Sequence, residues 1–461
     1  MMESLILKLD NFANSFFKES IIFKYSKSLK EFLSLKFGND KLSKFFFYTT
    51  LLLILSIFTC LALPQFSSDR FGIGILILLT FSCFIFLIIT TKDINISFNM
   101  QDLCIVCLLL IGSVSTFSSY FFKESLIGFI KYIIFILFYL ISKVLIQNQK
   151  INLQFIFLNY LFFLGTILSI HGIYQYVIGV EPLATWDDPT LDLQITRVYS
   201  TMGNPNLLAG FLLLVFPLGL VLPFCKKHSL KIYLLYFLCN AVIFLSILFT
   251  GSRGAYLALA AIFVIIFFVL LIKFGLSQIL PKLALSNFYM RIFGTLFLIS
   301  ITILIFTLGP DILERFSTIF NTREHSSNNF RINVWISSIK MFMDNFLTGI
   351  GPGNTTFRLV YGLYMKTGFD ALSAYNIFLE IAVELGIIGF ILLISLFMSI
   401  FIKLHYYFYY KKNILALGLV LVLVSLLIQG LFDTVFFRPQ ILIPSWFLLS
   451  IIDKLEYRKE E

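Results

Sequence analysis

The sequence predicts an all-α polytopic membrane protein with about 12 transmembrane helices, within a range of about 10–12. Only 13% of its 461 residues are charged, and the mean hydropathy is +0.93. Apolar runs of about 20 residues recur along the chain, which is the length that a helix needs to cross a hydrocarbon core of about 30 Å. Because unpaired backbone groups are costly in lipid, repeated apolar runs favour a bundle of helices.

The apolar segments divide the chain into three regions. A lysine-rich N-terminal segment, residues 1–44, precedes a transmembrane domain over residues 45–452 and a tail over residues 453–461. The N-terminal segment is either an amphipathic stretch on the cytoplasmic membrane surface or a partly disordered tail. The predicted spans cover residues 45–63, 71–90, 101–119, 126–146, 155–178, 206–224, 231–250, 254–273, 292–309, 376–402, 413–430 and 440–452.

The distribution of basic residues predicts a multi-pass protein of the plasma (inner) membrane with both termini in the cytoplasm. With the N-terminus inside, 23 of the 35 lysines and arginines fall in inside loops and tails, in agreement with the positive-inside rule. This orientation places two long polar loops, 179–205 and 310–375, on the outer face. It also accounts for the net charge of +10 without nucleic acid, so membrane lipids are the expected partner.

The arginines are distributed across the predicted topology differently from the lysines. Eight of them fall on the predicted outer side, whereas the inside charge comes almost entirely from lysine. A guanidinium group is a planar fork suited to phosphate and carboxylate, and it stays charged in dry surroundings. The pattern indicates an outward-facing anion site, with pairing to acidic residues of the same loops as the alternative. The eight are Arg70, Arg197, Arg253, Arg315, Arg323, Arg331, Arg358 and Arg438.

Two short motifs place arginines beside predicted helix starts. Arg197 and Asn204 precede an apolar helix, whose N-terminus is either an anion seat or an ordinary capped helix end. Arg253 lies in a Thr-Gly-Ser-Arg-Gly turn between two apolar segments. There it either contacts a ligand or extends to the lipid headgroups.

The stretch 349–390 is the strongest candidate for a functional site, because a polar turn and loop lead into an apolar helix. Before it, apolar residues at helical spacing predict an amphipathic surface helix over 330–346, with Arg331 near its start. Asn376, Glu380 and Glu384 recur every four residues and share one helix face, which we expect to point into the bundle. The glutamates either serve a site or lock helices together.

Other classes of site receive little support from the sequence. No P-loop or Rossmann spacing is present, and the four histidines lack metal-ligand spacing, so we expect no nucleotide, metal or other cofactor. Cys104 and Cys107 form a C-x-x-C pattern, which packing of small residues on a membrane helix explains better than redox chemistry.

Five motifs occur in order over residues 197–390: GNPNLLAG, TGSRGAYLAL, FRINVW, GIGPGN and AYNIFLEIAVELGIIG. In this order, and with the predicted topology, the chain resembles the O-antigen ligase-related membrane superfamily over a core at about 197–400. That superfamily includes lipopolysaccharide O-antigen ligases and polysaccharide polymerases. Finer detail, in ATWDDP, TRVYSTMGNPNLLAG and ALSAYNIFLE, resembles the cyanobacterial branch named for inorganic-carbon (bicarbonate) transport.

The resemblance implies roles for individual residues. In the ligases, arginines on the outer face hold the pyrophosphate of a polyprenyl-linked glycan, and Arg253 and Arg331 match them by motif. A ligase histidine precedes the asparagine at the start of the late helix and serves in catalysis, but here Tyr375 precedes Asn376. A phenol with a pKa of about 10 is a poor base at neutral pH. Either transfer uses another group, such as His325, or this chain performs no such transfer.

Two functions of different classes follow from the sequence. The first is an anion-binding protein that acts in bicarbonate transport or accumulation, although no broken-helix inverted repeat is evident. The second is a metal-independent glycosyltransferase that moves a glycan from polyprenyl pyrophosphate to an acceptor at the outer face. A non-enzymatic scaffold is a third reading. The expected site comprises Tyr375 and Glu380 as catalytic groups, with Arg197, Asn204, Arg253, Arg331 and Asn376 as anion ligands.

Overall fold

The computed structural model describes residues 2–63, 72–91, 97–148, 152–183, 196–274 and 327–457, together with Ile94. These residues form 15 α-helices and no strand, so the predicted fold class is confirmed. In chain order the helices are α1 Met2–Glu19, α2 Ile21–Phe37, α3 Asp40–Ala62, α4 Gly72–Thr90, α5 Met100–Ser118, α6 Phe122–Asn148, α7 Leu153–Ile178, α8 Pro205–Val221, α9 Leu230–Phe249, α10 Arg253–Phe274, α11 Ser327–Asp344, α12 Asn354–Tyr361, α13 Ile377–Tyr409, α14 Ile414–Gly430 and α15 Pro439–Ile451.

Eight described helices, α3 to α9 and α13, are long and apolar enough to cross a membrane. Three more apolar helices, α10, α14 and α15, are shorter over the part that qualifies. Each of these helices coincides with a span predicted from hydropathy. The remaining predicted span, 292–309, lies outside the described residues.

The N-terminal segment is helical in the part that the structure describes. Asp10 of α1 accepts hydrogen bonds from the Met100 backbone N–H at 3.1 Å and from Lys403 Nζ at 2.9 Å. Phe12 and Phe16, each 62% exposed, lie away from this contact. The described part of the segment is thus a helix anchored through Asp10 with exposed aromatic rings, and its position on the membrane surface stays a prediction.

The chain divides into two compact units. The first unit comprises Met1–Leu161, Asn333–Val420 and Phe437–Glu461, and the second comprises Phe162–Ile332 and Leu421–Phe436. In the first unit, four phenylalanines pack edge to face with ring centroids 5.3–6.1 Å apart: Phe58, Phe138, Phe157 and Phe447. In the second unit, α8 is buried along almost its whole length and packs against α9 and α10.

Lysines of the first unit also have a structural role that the sequence did not reveal. Lys143 of α6, only 2% exposed, pairs with Asp102 of α5. The second carboxylate oxygen of Asp102 accepts the Tyr139 hydroxyl at 2.7 Å. Because a buried charge without a partner is strongly destabilising, Lys143 and Asp102 hold α5 and α6 together as well as carrying charge.

Candidate functional site

The start of α8, in the second unit, is a capped helix end, and the cap is the asparagine that precedes Pro205. Asn204 Oδ1 accepts the backbone N–H groups of Asn206 at 2.9 Å and Leu207 at 3.1 Å. Pro205 occupies the first helical position, where its missing N–H is no loss. Gly203, with φ of +69°, turns the chain into the cap. The cap fixes the helix N-terminus on which the proposed anion seat depends.

Arg197 lies against this helix start. Its Nε donates to the Thr250 carbonyl at 3.0 Å, and its Nη2 donates to Asn206 Oδ1 at 3.1 Å. Asn206 in turn donates from Nδ2 to Asp433 Oδ2 at 2.7 Å. The guanidinium is therefore oriented by the ends of α9 and α8 and is linked to a carboxylate through one amide.

Arg253 and Arg331 join the same region of the second unit. Arg253, the first residue of α10, donates from Nη1 to Asn328 Oδ1 at 3.1 Å. Arg331, one turn after Asn328 on α11, donates from Nε to the Phe432 carbonyl at 2.7 Å. Phe432 directly precedes Asp433, and Asn328 lies three residues before Arg331, so the contacts of the three arginines involve neighbouring residues of the same segments. We call these residues the arginine network: Arg197, Asn206, Arg253, Asn328, Arg331 and Asp433.

The polar groups beside the three arginines have little signal in the sequence. Asn206 is predicted only as part of the first turn or cap of the helix that follows the Gly-Asn-Pro-Asn turn, and Asp433 is one of several acidic residues available to pair with an arginine. Gln429 of α14 had no signal beyond being a lone amide in an apolar run. Its Nε2 donates to the Asn206 carbonyl at 2.8 Å, while its buried Oε1 has no hydrogen-bond partner in the described structure. A buried acceptor of this kind calls for a donor from water or a ligand.

The alternative explanation, pairing of arginines with acidic residues, holds for Arg358, one of the five of these arginines that the structure describes. Arg358 Nη2 lies 3.3 Å from Asp370 Oδ2, and both side chains are more than half exposed. An exposed pair of this kind contributes little to stability. Arg358 is therefore separable from the arginine network and serves as a natural control.

The first unit contains the other predicted site residues, at the start of α13. Asn376 Oδ1 accepts the backbone N–H groups of Phe378 at 2.9 Å and Leu379 at 3.1 Å. Tyr375, directly before this cap, has a positive φ of +51°, which a non-glycine residue rarely adopts. Glu380, 2% exposed, accepts the Ala374 backbone N–H. The carboxylate and the cap together hold Tyr375 in a strained conformation at the helix entrance.

Glu384, one turn further along α13, is also buried. Its Oε2 accepts the Tyr132 hydroxyl at 2.8 Å, and its Oε1 accepts the Gly353 backbone N–H at 2.8 Å. Ser115 Oγ donates to the Glu384 carbonyl at 2.6 Å. The expectation that the face of Glu380 and Glu384 points inward is confirmed, and for Glu384 the role of joining segments is visible in these contacts.

α13 is not continuous, although its sequence predicts one uninterrupted span. Gly386 has φ of +69° and ψ of −169°, which breaks the helix after Leu385. The turn that starts at Gly349 fills the break, since Ile350 N–H donates to the Val383 carbonyl at 2.9 Å and Gly351 N–H to the Glu384 carbonyl at 3.1 Å. A hydrophobicity pattern contains no signal for such a break, because one glycine is tolerated inside a helix.

The segment between the turn and Tyr375 is anchored by α12. Tyr361 is buried and donates its hydroxyl to the Phe369 carbonyl at 2.8 Å. Burial raises the pKa of the Tyr361 phenol, so the phenol remains a donor at neutral pH. This contact closes the loop that leads to Tyr375.

The predicted site residues thus form two groups. The second unit brings together Arg197, Asn204, Arg253 and Arg331, and the first unit brings together Tyr375, Asn376 and Glu380. That the two groups form one site stays a prediction.

Comparison with known proteins bears on both groups. No curated protein matches the chain. A family model described as O-antigen ligase matches residues 238–394, a segment that includes Arg253, Arg331, Tyr375, Asn376 and Glu380. Arg197 and Asn204 lie before the matched segment. The match supports placing this multi-pass membrane protein in the O-antigen ligase-related superfamily.

Proposed function

We propose that the arginine network binds the diphosphate of a polyprenyl-linked glycan at the outer membrane face, in an O-antigen ligase-like glycosyltransferase. One observation carries the proposal: Arg197, Arg253 and Arg331, which are far apart in sequence, make hydrogen bonds to neighbouring segments of the second unit, and Arg197 bonds to Asn206 in the first turn of the capped helix α8. Guanidinium groups and a helix N-terminus both favour phosphate oxygens.

The charge of the network favours a diphosphate. Within the network there are three guanidinium groups and one carboxylate, that of Asp433. A diphosphate diester bears two negative charges over several oxygens, whereas bicarbonate bears one. Gln429 Oε1 adds an acceptor that the hydroxyl group of a sugar satisfies. The ligand that matches both charge and hydrogen bonding is a glycan attached to a diphosphate.

The transfer step needs a group that receives the proton of the acceptor hydroxyl. The acceptor oxygen forms a bond to the anomeric carbon, the bond from that carbon to the diphosphate oxygen breaks, and the polyprenyl diphosphate leaves. The arginine network stabilises the charge that develops on the leaving group. Glu380, at the start of α13, is the candidate proton acceptor, because an ionised carboxylate accepts a proton at neutral pH whereas the phenol of Tyr375 is a poor base.

A second candidate function, anion transport with bicarbonate as the substrate, is favoured by the break in α13. Interrupted membrane helices with polar groups at the break form the substrate sites of many transporters. Here the break at Gly386 lies beside the buried Glu384, and Glu380 lies one turn before it. The sequence predicted no such break. The break at Gly386 is therefore an additional observation that supports the transport alternative.

The experiment that separates the two functions uses full-length protein reconstituted in liposomes. With a lipid-linked oligosaccharide donor and an acceptor glycan, we expect transfer that Arg253→Ala and Arg331→Ala each reduce by about 100-fold, within the range for loss of one charge-stabilising donor. Arg358→Ala, the exposed control, leaves the rate within about twofold.

Absence of transfer by the wild-type protein, together with uptake of labelled bicarbonate that depends on Arg253 and Arg331, contradicts the transferase proposal and supports transport. If Tyr375→His gains transfer that the wild type lacks, the native chain is not a transferase. Loss of both activities only in the arginine variants establishes the arginine network as the common anion site.

A further inference from the structure

The three residues after Arg197 are held by an unusual set of contacts to α7. Gln175 Oε1 accepts the backbone N–H groups of Tyr199 at 3.1 Å and Ser200 at 2.6 Å. Gln175 Nε2 donates to the Ser200 carbonyl at 3.2 Å. One buried amide thus binds both the N–H and the carbonyl of Ser200, and its oxygen also accepts the Tyr199 N–H.

Ser200 has a backbone conformation that needs such support. Its φ is +49°, in the left-handed region where a side chain is disfavoured. Strained residues of this kind persist only where the surroundings hold them. Ser200 Oγ donates to the Leu168 carbonyl at 2.9 Å and also lies 3.1 Å from His171 Nδ1. Since the hydroxyl proton goes to Leu168, His171 donates from Nδ1, which adds a second α7 side chain to the support.

The other side of the same segment determines where Arg197 points. The Val198 N–H donates to the Phe249 carbonyl at 3.1 Å, and Arg197 Nε donates to the next carbonyl, Thr250, at 3.0 Å. The segment therefore lies between α7 and the end of α9. If Ser200 relaxed to a negative φ, the chain direction would change three residues from Arg197, and its bonds to Thr250 and Asn206 would be lost.

We propose that Gln175 is a positioning residue for Arg197: through the strained Ser200 it fixes the guanidinium in the arginine network. This inference rests on the proposed function, in which that network binds a diphosphate. Gln175 itself lies 6% exposed within α7 and contacts backbone atoms, so its effect on binding passes through Arg197.

A double-mutant cycle tests this role, with inorganic pyrophosphate titrated calorimetrically into the full-length protein in lipid nanodiscs. We expect Gln175→Ala to weaken binding about tenfold in the wild-type background and less than about twofold in the Arg197→Ala background, because coupled residues are not additive. Ser169→Ala is the matched control, since this buried α7 hydroxyl bonds only within its own helix through Gly165.

A rescue variant separates positioning from a general loss of structure. Glycine adopts positive φ without the steric cost of a side chain, so Ser200→Gly combined with Gln175→Ala should recover affinity to within about threefold of the wild type. Should Gln175→Ala not fold, Gln175→Met keeps most of the side-chain volume and removes the hydrogen-bonding amide without adding a charge. It is then expected to show the same cycle.

The outcomes distinguish this inference from the function on which it rests. Equal pyrophosphate binding by the wild type and Arg197→Ala, or no saturable binding, overturns the proposed anion site and the positioning role with it. Binding that Arg197→Ala abolishes but Gln175→Ala leaves unchanged overturns the positioning role alone. A Gln175→Ala effect that persists in full without Arg197 does the same, because it shows that Gln175 acts by another route.

Discussion

Two helix starts, that of α8 in the second unit and that of α13 in the first, use the same cap and differ in what surrounds it. In both, an asparagine Oδ1 accepts backbone N–H groups two and three residues ahead, at 2.9 Å and 3.1 Å. The caps also share extended backbone, with φ of −148° at Asn204 and −155° at Asn376. The two helix starts therefore use the same local capping interaction.

The charged groups beside the two caps differ. At α8 the guanidinium of Arg197 bonds to Asn206 and adds to the positive end of the helix, and the carboxylate of Asp433 lies on the other side of the Asn206 amide. At α13 the helix supplies its own carboxylate, Glu380, which accepts the Ala374 N–H and offsets that positive end. A capped helix start is thus insufficient to identify an anion site, and the neighbouring charges decide which ion it favours.

The largest expected effect comes from a substitution at the break in α13. Gly386→Ala places a Cβ against the Leu347 carbonyl at a residue with positive φ. We expect the free energy of unfolding to fall by about 3 kcal/mol or more, measured by denaturant titration in detergent micelles. Gly74→Ala on α4 is the control, because no atom lies within 4 Å of its added Cβ. A Gly386→Ala protein as stable as this control would contradict the broken helix.

The second prediction makes the α8 start resemble that of α13. Asn206→Asp puts a carboxylate in the first turn, where it pairs with Arg197 and repels Asp433. We expect pyrophosphate affinity to fall about tenfold or more, since a charged contact contributes about 1.5–3 kcal/mol. Asn206→Ala removes the amide without adding charge and should have the smaller effect. Equal losses in the two variants would show that the amide contacts, and not the charge, determine binding.

The smallest expected effect is that of removing the asparagine cap, which the two helix starts share. Asn204→Ala and Asn376→Ala should each lower the free energy of unfolding by about 1 kcal/mol, because each leaves two N–H groups without their cap. Serine at either position should restore most of that stability. Only the Asn204 variant is expected to weaken pyrophosphate binding as well. A binding loss of the same size in Asn376→Ala would mean that both helix starts serve the anion.

Sequence analysis found the parts of this protein that depend on composition. Membrane spans follow from runs of apolar residues, and the arginines stood out because lysine carries most of the charge elsewhere. The capped start of α8 was predictable as well, since Asn204 is followed by proline and an apolar run. These features are local, so a single sequence contains them.

The features that the sequence did not reveal depend on contacts between distant segments. Gly386 has the same appearance in the sequence as Gly389, three residues later, yet only Gly386 has a positive φ. The pairing of Lys143 with Asp102 and the position of Gln175 against Ser200 join residues 41 and 25 positions apart. No periodicity encodes such contacts, because they are set by how helices pack.

The contacts of Glu384 also constrain the order in which the first unit assembles during synthesis. Ser115 and Tyr132, which bind this residue, precede it by 269 and 252 positions. The ribosome completes α5 and α6 long before α13 exists, with all of residues 162–332 made in between. We therefore expect the early helices to wait in the membrane with unsatisfied polar groups, so that closure of the first unit is a late event in biogenesis.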